Sequence, residues 1–291
     1  MPNHIRFGPA GIPPFFRLMG AKLSDVPLML RQEKLDAFEY QASRWGQVPQ
    51  IKQEVAEQLC IEAKRNDVGL SVHGSYFLNF AGKREVVEAS KRRLIACITA
   101  AQWMRASVAV FHPGFYGVIG KANAFKNCRE ALQDVVKAMD GLGICDVKLG
   151  PETTGKHSQI GSLEEILTLC ETVDRTQLVI DWAHLHARSG GQLQTAEDFH
   201  TILSEVEKRL GSDTTKGMHC HFSKVEFTKN GERRHHVLDD RRFGPTFEPF
   251  AEVISDFKLH PVIICETPLL DRDAVKMRNI YLNASQKSSN Q

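Results

Sequence analysis

The pattern that most constrains this chain is repeated along it: a short apolar run that stops at a side chain able to ligate a metal. Leu178-Val179-Ile180 stops at Asp181, with His184 three residues further on. Leu70-Ser71-Val72 stops at His73, Val108-Ala109-Val110-Phe111 at His112, and Val147-Lys148-Leu149-Gly150-Pro151 at Glu152. Met218-His219-Cys220-His221 and Val262-Ile263-Ile264-Cys265-Glu266 complete the series. Strands buried on both faces of a parallel sheet read as short apolar runs of this kind. A polar residue at the carboxyl end of such a strand lies where α/β folds gather their chemistry.

Helical patterns fill the intervals. Apolar residues recur at helical spacing over 49–65, 83–105 and 122–140, and Ser162-x-x-Glu165 forms a capping box opening a helix to Val173. Further helices are predicted over 24–31, 195–210, 247–257 and 271–283, while the charged stretch 224–245 reads as a long irregular loop. With Ile5-Arg6-Phe7 and Ala37-Phe38-Glu39-Tyr40 as the first two strands, eight strand–helix units follow one another without a linker. That repetition predicts an α/β fold, a single-domain (β/α)8 TIM barrel over residues 1–283, with 284–291 as a polar tail. A doubly wound open sheet would want a glycine-rich phosphate loop after its first strand, and Gly8-Pro9-Ala10-Gly11 is not one.

Composition narrows the function classes. Lysine plus arginine number 37 against 35 acids, so any nucleic-acid footprint must be local rather than global. Seven cysteines without C-x-x-C spacing give neither a disulfide framework nor a structural zinc motif. No run approaches the ~18 apolar residues of a membrane span, and no signal peptide is recognisable. A cytoplasmic protein acting away from membranes is expected.

In a closed barrel the strand ends share one mouth, which would bring together His73, His112, Glu152, Asp181, His219 and Glu266. Three crowded carboxylates repel one another unless something positive neutralises them, and the histidines make a divalent cation the natural counter-charge. Imidazole and carboxylate ligands suit zinc, manganese or iron. Six ligands suit two ions if one carboxylate bridges them, an arrangement that favours displacement at phosphorus. His219 and His221 share a strand face by alternation, and His219 is expected to be the ligand, with His221 behind it. His186, His200 and His260 carry no spacing signal and read as ordinary surface or helix histidines.

Over roughly 38–268 the chain resembles the endonuclease IV family of apurinic/apyrimidinic endonucleases. The resemblance rests on His73-Gly74-Ser75-Tyr76-Phe77-Leu78-Asn79, Phe111-His112-Pro113-Gly114, Glu152-Thr153-Thr154-Gly155, Asp181-Trp182-Ala183-His184, Met218-His219 with Lys224, and Glu266-Thr267-Pro268. It implies a zinc-bearing TIM barrel, a monomer acting in DNA repair, that cuts duplex DNA 5′ to abasic sites by in-line attack of a metal-activated hydroxide. It implies His73, His112 and Glu152 at a first ion, and Asp181, His219, Glu266 and the bridging, catalytic Glu152 at a second. A third ion would use His184 and His235. Tyr76 and Phe77 would enter the DNA stack, with Lys224 and Arg234 as further DNA contacts. The match is weak at the first strand, where Pro9 stands in place of a His-x-Ser start. It also departs after the seventh strand: the family's Asp-Arg-His triplet is Arg233-Arg234-His235 here. Since arginine ligates no metal, Glu232 is expected to swing in and complete the third site. A metal-dependent sugar isomerase or epimerase and a DNA-binding protein without turnover are the alternatives.

Overall fold

The strand–helix alternation closes on itself. In the computed structural model, which describes residues 4–289, eight strands form the barrel: β1 (Arg6–Pro9), β2 (Ala37–Gln41), β3 (Gly69–His73), β4 (Val108–Phe111), β5 (Lys148–Pro151), β6 (Val179–Asp181), β7 (His219–Phe222) and β8 (Val262–Cys265). They pair in parallel in two runs, β1-β8-β7-β6 and β2-β3-β4-β5. Parallel bridges from Ala10 to Glu39, and from Leu149 to Thr176 and Glu152 to Val179, join the two runs at both seams.

The helices behave as their sequences predict. In Gln53–Arg65 the residues turned inward are Ala56, Leu59 and Ala63, one apolar stripe. The capping box forms: the Glu165 N–H donates to Ser162 Oγ at 3.3 Å, and the Ser162 N–H donates to Glu165 Oε2 at 3.0 Å. Among the described residues no helix is long and apolar enough to cross a membrane.

Three local expectations need correction. Residues 224–245 are not irregular throughout, because Lys224–Thr228 and Gly231–His236 pair as an antiparallel hairpin. The last helix runs Asp271–Ser289, so 284–289 continue it rather than forming a tail, and Ala284 packs against the core; residues 290–291 lie outside the described residues. A short helix, Pro14–Leu18, occupies what reads as a proline turn, its first proline at a position where the missing N–H costs nothing.

Alternation along each strand sets the layers of the interior. The side chains two residues below the strand ends lie one pleat deeper on the same inward face. Around β4 to β6 that depth is apolar: Val108, Val110 and Val179 pack together without exposure. Gly150 leaves them room, since a Cβ there would lie 2.6 Å from Val108 Cγ2 and 3.0 Å from Val179 Cγ2. Gly150→Ala is therefore expected to destabilise the barrel by about 1–3 kcal/mol in urea unfolding. An unchanged midpoint would mean that the valines yield freely.

Candidate metal centre

Glu152, wholly buried past the end of β5, is the hub of the mouth. Its Oε2 lies 3.3 Å from His73 Nε2 and 3.0 Å from His112 Nε2. Its Oε1 faces the opposite side, 3.1 Å from His221 Nδ1 and 3.5 Å from His184 Nδ1. Glu266 Oε1 is 3.3 Å from the same His221 nitrogen. His73, His112 and Glu152 thus make one group within ligand reach, and Glu152, Asp181, His221 and Glu266 a second that shares Glu152. Asp181, His184 and His235 make a third.

The residues fit divalent cations. Asp181 Oδ2 is buried with no hydrogen-bond partner among the described residues, although His184 Nδ1 stands 3.6 Å away. A buried carboxylate oxygen left unpaired is costly, and a cation in the group would satisfy it. Three of the rings are set for such a role by the backbone. His73 Nδ1 donates to the Gly74 carbonyl at 3.0 Å, His184 Nδ1 to that of Thr153 at 2.9 Å and His235 Nδ1 to that of Glu266 at 3.3 Å. Each ring thereby turns its Nε2 toward an acid.

A family model described as xylose isomerase-like TIM barrel matches residues 30–280. The chain belongs to that family. It is 33% identical over 232 residues to an uncharacterised protein, MJ0133, of Methanocaldococcus jannaschii, covering 79% of this chain and 82% of that one. It is 28% identical over 252 residues to a probable endonuclease 4 of Staphylococcus carnosus, covering 81% of each. Among solved structures, endonuclease IV from Thermus thermophilus superposes with a TM-score of 0.71 at 19% identity, covering 91% of this chain and 94% of that one. A D-tagatose 3-epimerase-like protein superposes with a TM-score of 0.63, also at 19% identity, covering 92% and 97%. At those identities the solved structures speak for the xylose isomerase-like fold alone.

The structure places two of the expected residues differently, and His219 stands with Glu39 and His221 in a further group within ligand reach. His221, not His219, stands with Asp181 and Glu266. In the parallel register of β6 and β7, Asp181 pairs with His221 and Val179 with His219. His219 therefore lies one pleat deeper, and its Nε2 meets Glu39 Oε2 at 3.2 Å. Lys224 is buried, and its ammonium donates to the Asp240 carbonyl at 2.6 Å, so it ties down the segment after the hairpin and offers no surface for DNA. His186 lies in the helix Trp182–Arg188, one of the two settings expected of it, and is buried edge-on to Phe227. Arg234 is exposed on the hairpin opposite Glu226.

Glu232 reaches the third group through a β-bulge. His235 opposes Val225 and Arg234 opposes Glu226, but Phe227 opposes Glu232, so Arg233 is the extra residue. The bulge puts Glu232 on the face that carries His235, which strict alternation would have given to Arg233. Glu232 Oε2 then lies 3.3 Å from His184 Nε2, and Oε1 lies 3.7 Å from His235 Nε2. Arg233 turns outward to pair with Glu226 at 2.6 Å.

Tyr76 and Phe77 follow His73 and are each 59% exposed, and Tyr76 lines a cavity of about 320 Å³ together with His73, His112 and Glu266. The Tyr76 ring centroid is 5.7 Å from that of His73 and 6.4 Å from that of His112. Glu39 at the deeper level escaped the sequence reading because it lies within its strand, two residues before the end. The available signal was an ionisable residue on the inward face of an otherwise apolar strand.

Burial works against every charge here, and the neighbours decide the outcome. Burial would raise the Glu152 carboxyl, but His221 and His112 hold it well below the usual carboxylate range. Burial raises Glu266 against the pull of His221, and Glu152 and Asp181 add to the rise. Burial would lower His73, yet Glu152 and Glu39 lift it to about 9. His184 and His221 are likewise lifted well above an ordinary histidine despite burial, His184 mainly by Asp181 and His221 mainly by Glu39. Glu232 is drawn down to about 2 against burial by His184 and His235. These shifts favour protonated rings in the absence of a cation, so binding of one would release protons. Zinc affinity is expected to climb from pH 6.5 toward about 9, where His73 loses its proton. Calorimetry near neutral pH in buffers of different ionisation enthalpy should show net proton release. Affinity independent of pH would mean that the rings are already neutral.

Proposed function

We propose that this protein is a cation-dependent endonuclease that hydrolyses the phosphodiester bond on the 5′ side of abasic sites in duplex DNA, a step of base excision repair. The observation that carries the reading is Glu152, whose two oxygens face two different ligand groups, with a third group beside them. Zinc suits this donor set, as do manganese and iron. Bound there, two or three such ions would acidify a water and offset the charge on phosphate.

The protein's own residues do the rest. Glu152, facing both groups, would hold two cations, whose charge would favour in-line attack of water on one phosphorus. Attack forms a new P–O bond, the P–O3′ bond breaks, and the released strand end carries a 3′ hydroxyl. Tyr76 and Phe77 stand where aromatic rings can enter the gap left by a missing base, each stacking contact contributing ~1–3 kcal/mol. Arg234 on the hairpin offers a guanidinium to the backbone phosphates. Glu232, His184 and His235 would hold a third cation, which would offset charge on the phosphate.

A sugar isomerase or epimerase is the second reading, favoured by the group Glu152, Asp181, His221 and Glu266, which suffices for one ion. It leaves His73, His112, His184 and His235 without a task. The reading without turnover rests on the altered triplet, whereas Glu232 beside His184 and His235 supports a complete third group.

A duplex carrying a single tetrahydrofuran abasic analogue is the test. The wild-type protein loaded with zinc is expected to nick it once, leaving a 3′ hydroxyl, and Glu152→Gln to lose roughly a hundredfold or more of that rate while keeping its circular dichroism. An intact duplex alongside interconversion of ketoses would move the assignment to the epimerase reading. The third position has its own check in metal content. Glu232→Ala is expected to lose one ion per chain and Arg233→Ala none, whereas equal metal content in the two variants would remove Glu232 from the centre.

A further inference from the structure

The rings of His73, His184 and His235 are oriented by main-chain carbonyls, but His221 is not. Its Nδ1 faces Glu152 Oε1 at 3.1 Å and Glu266 Oε1 at 3.3 Å, and its Nε2 meets Glu39 Oε2 at 3.2 Å. Glu39 is wholly buried on β2 and lies in register with Ser71, one pleat below His73. Its Oε2 also accepts from Ser71 Oγ at 2.9 Å and from His219 Nε2 at 3.2 Å, and Gln41 Nε2 donates to its Oε1 at 3.2 Å. Beneath the mouth therefore lies a polar layer, Glu39, Ser71 and His219, on the side opposite the valines.

We propose that Glu39 is the positioning residue for His221: it accepts the Nε2–H, fixes that tautomer, and so presents the bare Nδ1 to a cation shared with Glu152, Asp181 and Glu266. The inference rests on the reading of the centre as a cation site. A neutral imidazole carries one N–H, and three carboxylates face its two nitrogens here. Once a cation has expelled the proton on the Nδ1 side, the one N–H that remains needs an acceptor behind the ring, and Glu39 Oε2 stands there at 3.2 Å. With Glu39 the ring keeps the proton at the back, and a carboxylate behind a ligating imidazole also makes the ring a stronger donor. The network explains as well why this acid is tolerated in the barrel interior, since four donors satisfy it. His219 is then a donor to Glu39 and not a ligand.

The test compares wild type, Glu39→Gln and His219→Gln in the full chain. Zinc binding is measured by competition with a chromophoric chelator, and the His221 tautomer by 15N-detected imidazole resonances of the zinc-loaded protein. Glutamine matches the shape of Glu39 but carries no charge, so folding is expected to survive, as judged by circular dichroism. The wild type should show His221 protonated at Nε2. Glu39→Gln should weaken one zinc position by tenfold or more and leave the His73–His112 position unchanged. His219→Gln, whose amide still donates to Glu39, should bind zinc as wild type does. Wild-type affinity and an unchanged tautomer in Glu39→Gln would overturn the proposal. Equal loss of one ion in both variants would overturn it too, because Glu39, His219 and His221 would then form a cation site of their own. Failure of the wild-type chain to bind zinc at all would instead sink the reading of the centre.

Discussion

A carboxylate without solvent exposure, kept ionised by the imidazoles around it, is the interaction on which this structure turns. Glu152 is fully buried, and taking an ionised carboxylate out of water costs several kcal/mol even in a relaxed protein interior. Its two oxygens are each met by imidazole nitrogens, from His73 and His112 on one side and from His221 and His184 on the other. Those rings come from strands 3, 4 and 7 and from the helix that follows strand 6, so only a closed barrel brings them to one point. Around Glu152 the fold buries Asp181 and Glu39 as well, with Glu266 nearly so. Without cations the histidines balance this charge by holding protons. Bound cations would take over that balance, with the same carboxylates as their ligands.

Much of this was legible in the sequence because strand ends in a parallel barrel all point to one mouth. Apolar runs that stop at His73, His112, Glu152, Asp181 and Glu266 required no knowledge of packing to be gathered into one cavity. What failed was depth. His219 and His221 share a face, and alternation alone cannot say which is level with Asp181; that is decided by the register of β6 against β7. Glu39 was missed for the same reason, lying one pleat below the strand end. Lys224 reads as a surface cation in a charged stretch, and only the fold of the hairpin shows its ammonium capping the Asp240 carbonyl.

The hairpin is the instructive case. By counting, Arg233 stands where an acid is wanted, and a strand without irregularity would have turned it toward His184. One extra residue in the strand moves Arg233 out to Glu226 and brings Glu232 in. A β-bulge changes which residues share a face, so a one-residue displacement in sequence is repaired in space. The longer side chain of glutamate spans from the hairpin to both imidazoles.

The xylose isomerase-like barrel carries more than one chemistry, and fold does not choose among them. The number of cation positions does. As proposed above, Glu152 would bridge two of them and Glu232 would complete a third. Crystals of the zinc-loaded protein, with anomalous differences collected on both sides of the zinc absorption edge, measure this directly. Two peaks are predicted, one on each side of the Glu152 carboxylate, with a third among His184, His235 and Glu232. A single peak among Glu152, Asp181, His221 and Glu266, with His73 and His112 bare at saturating zinc, would contradict the account.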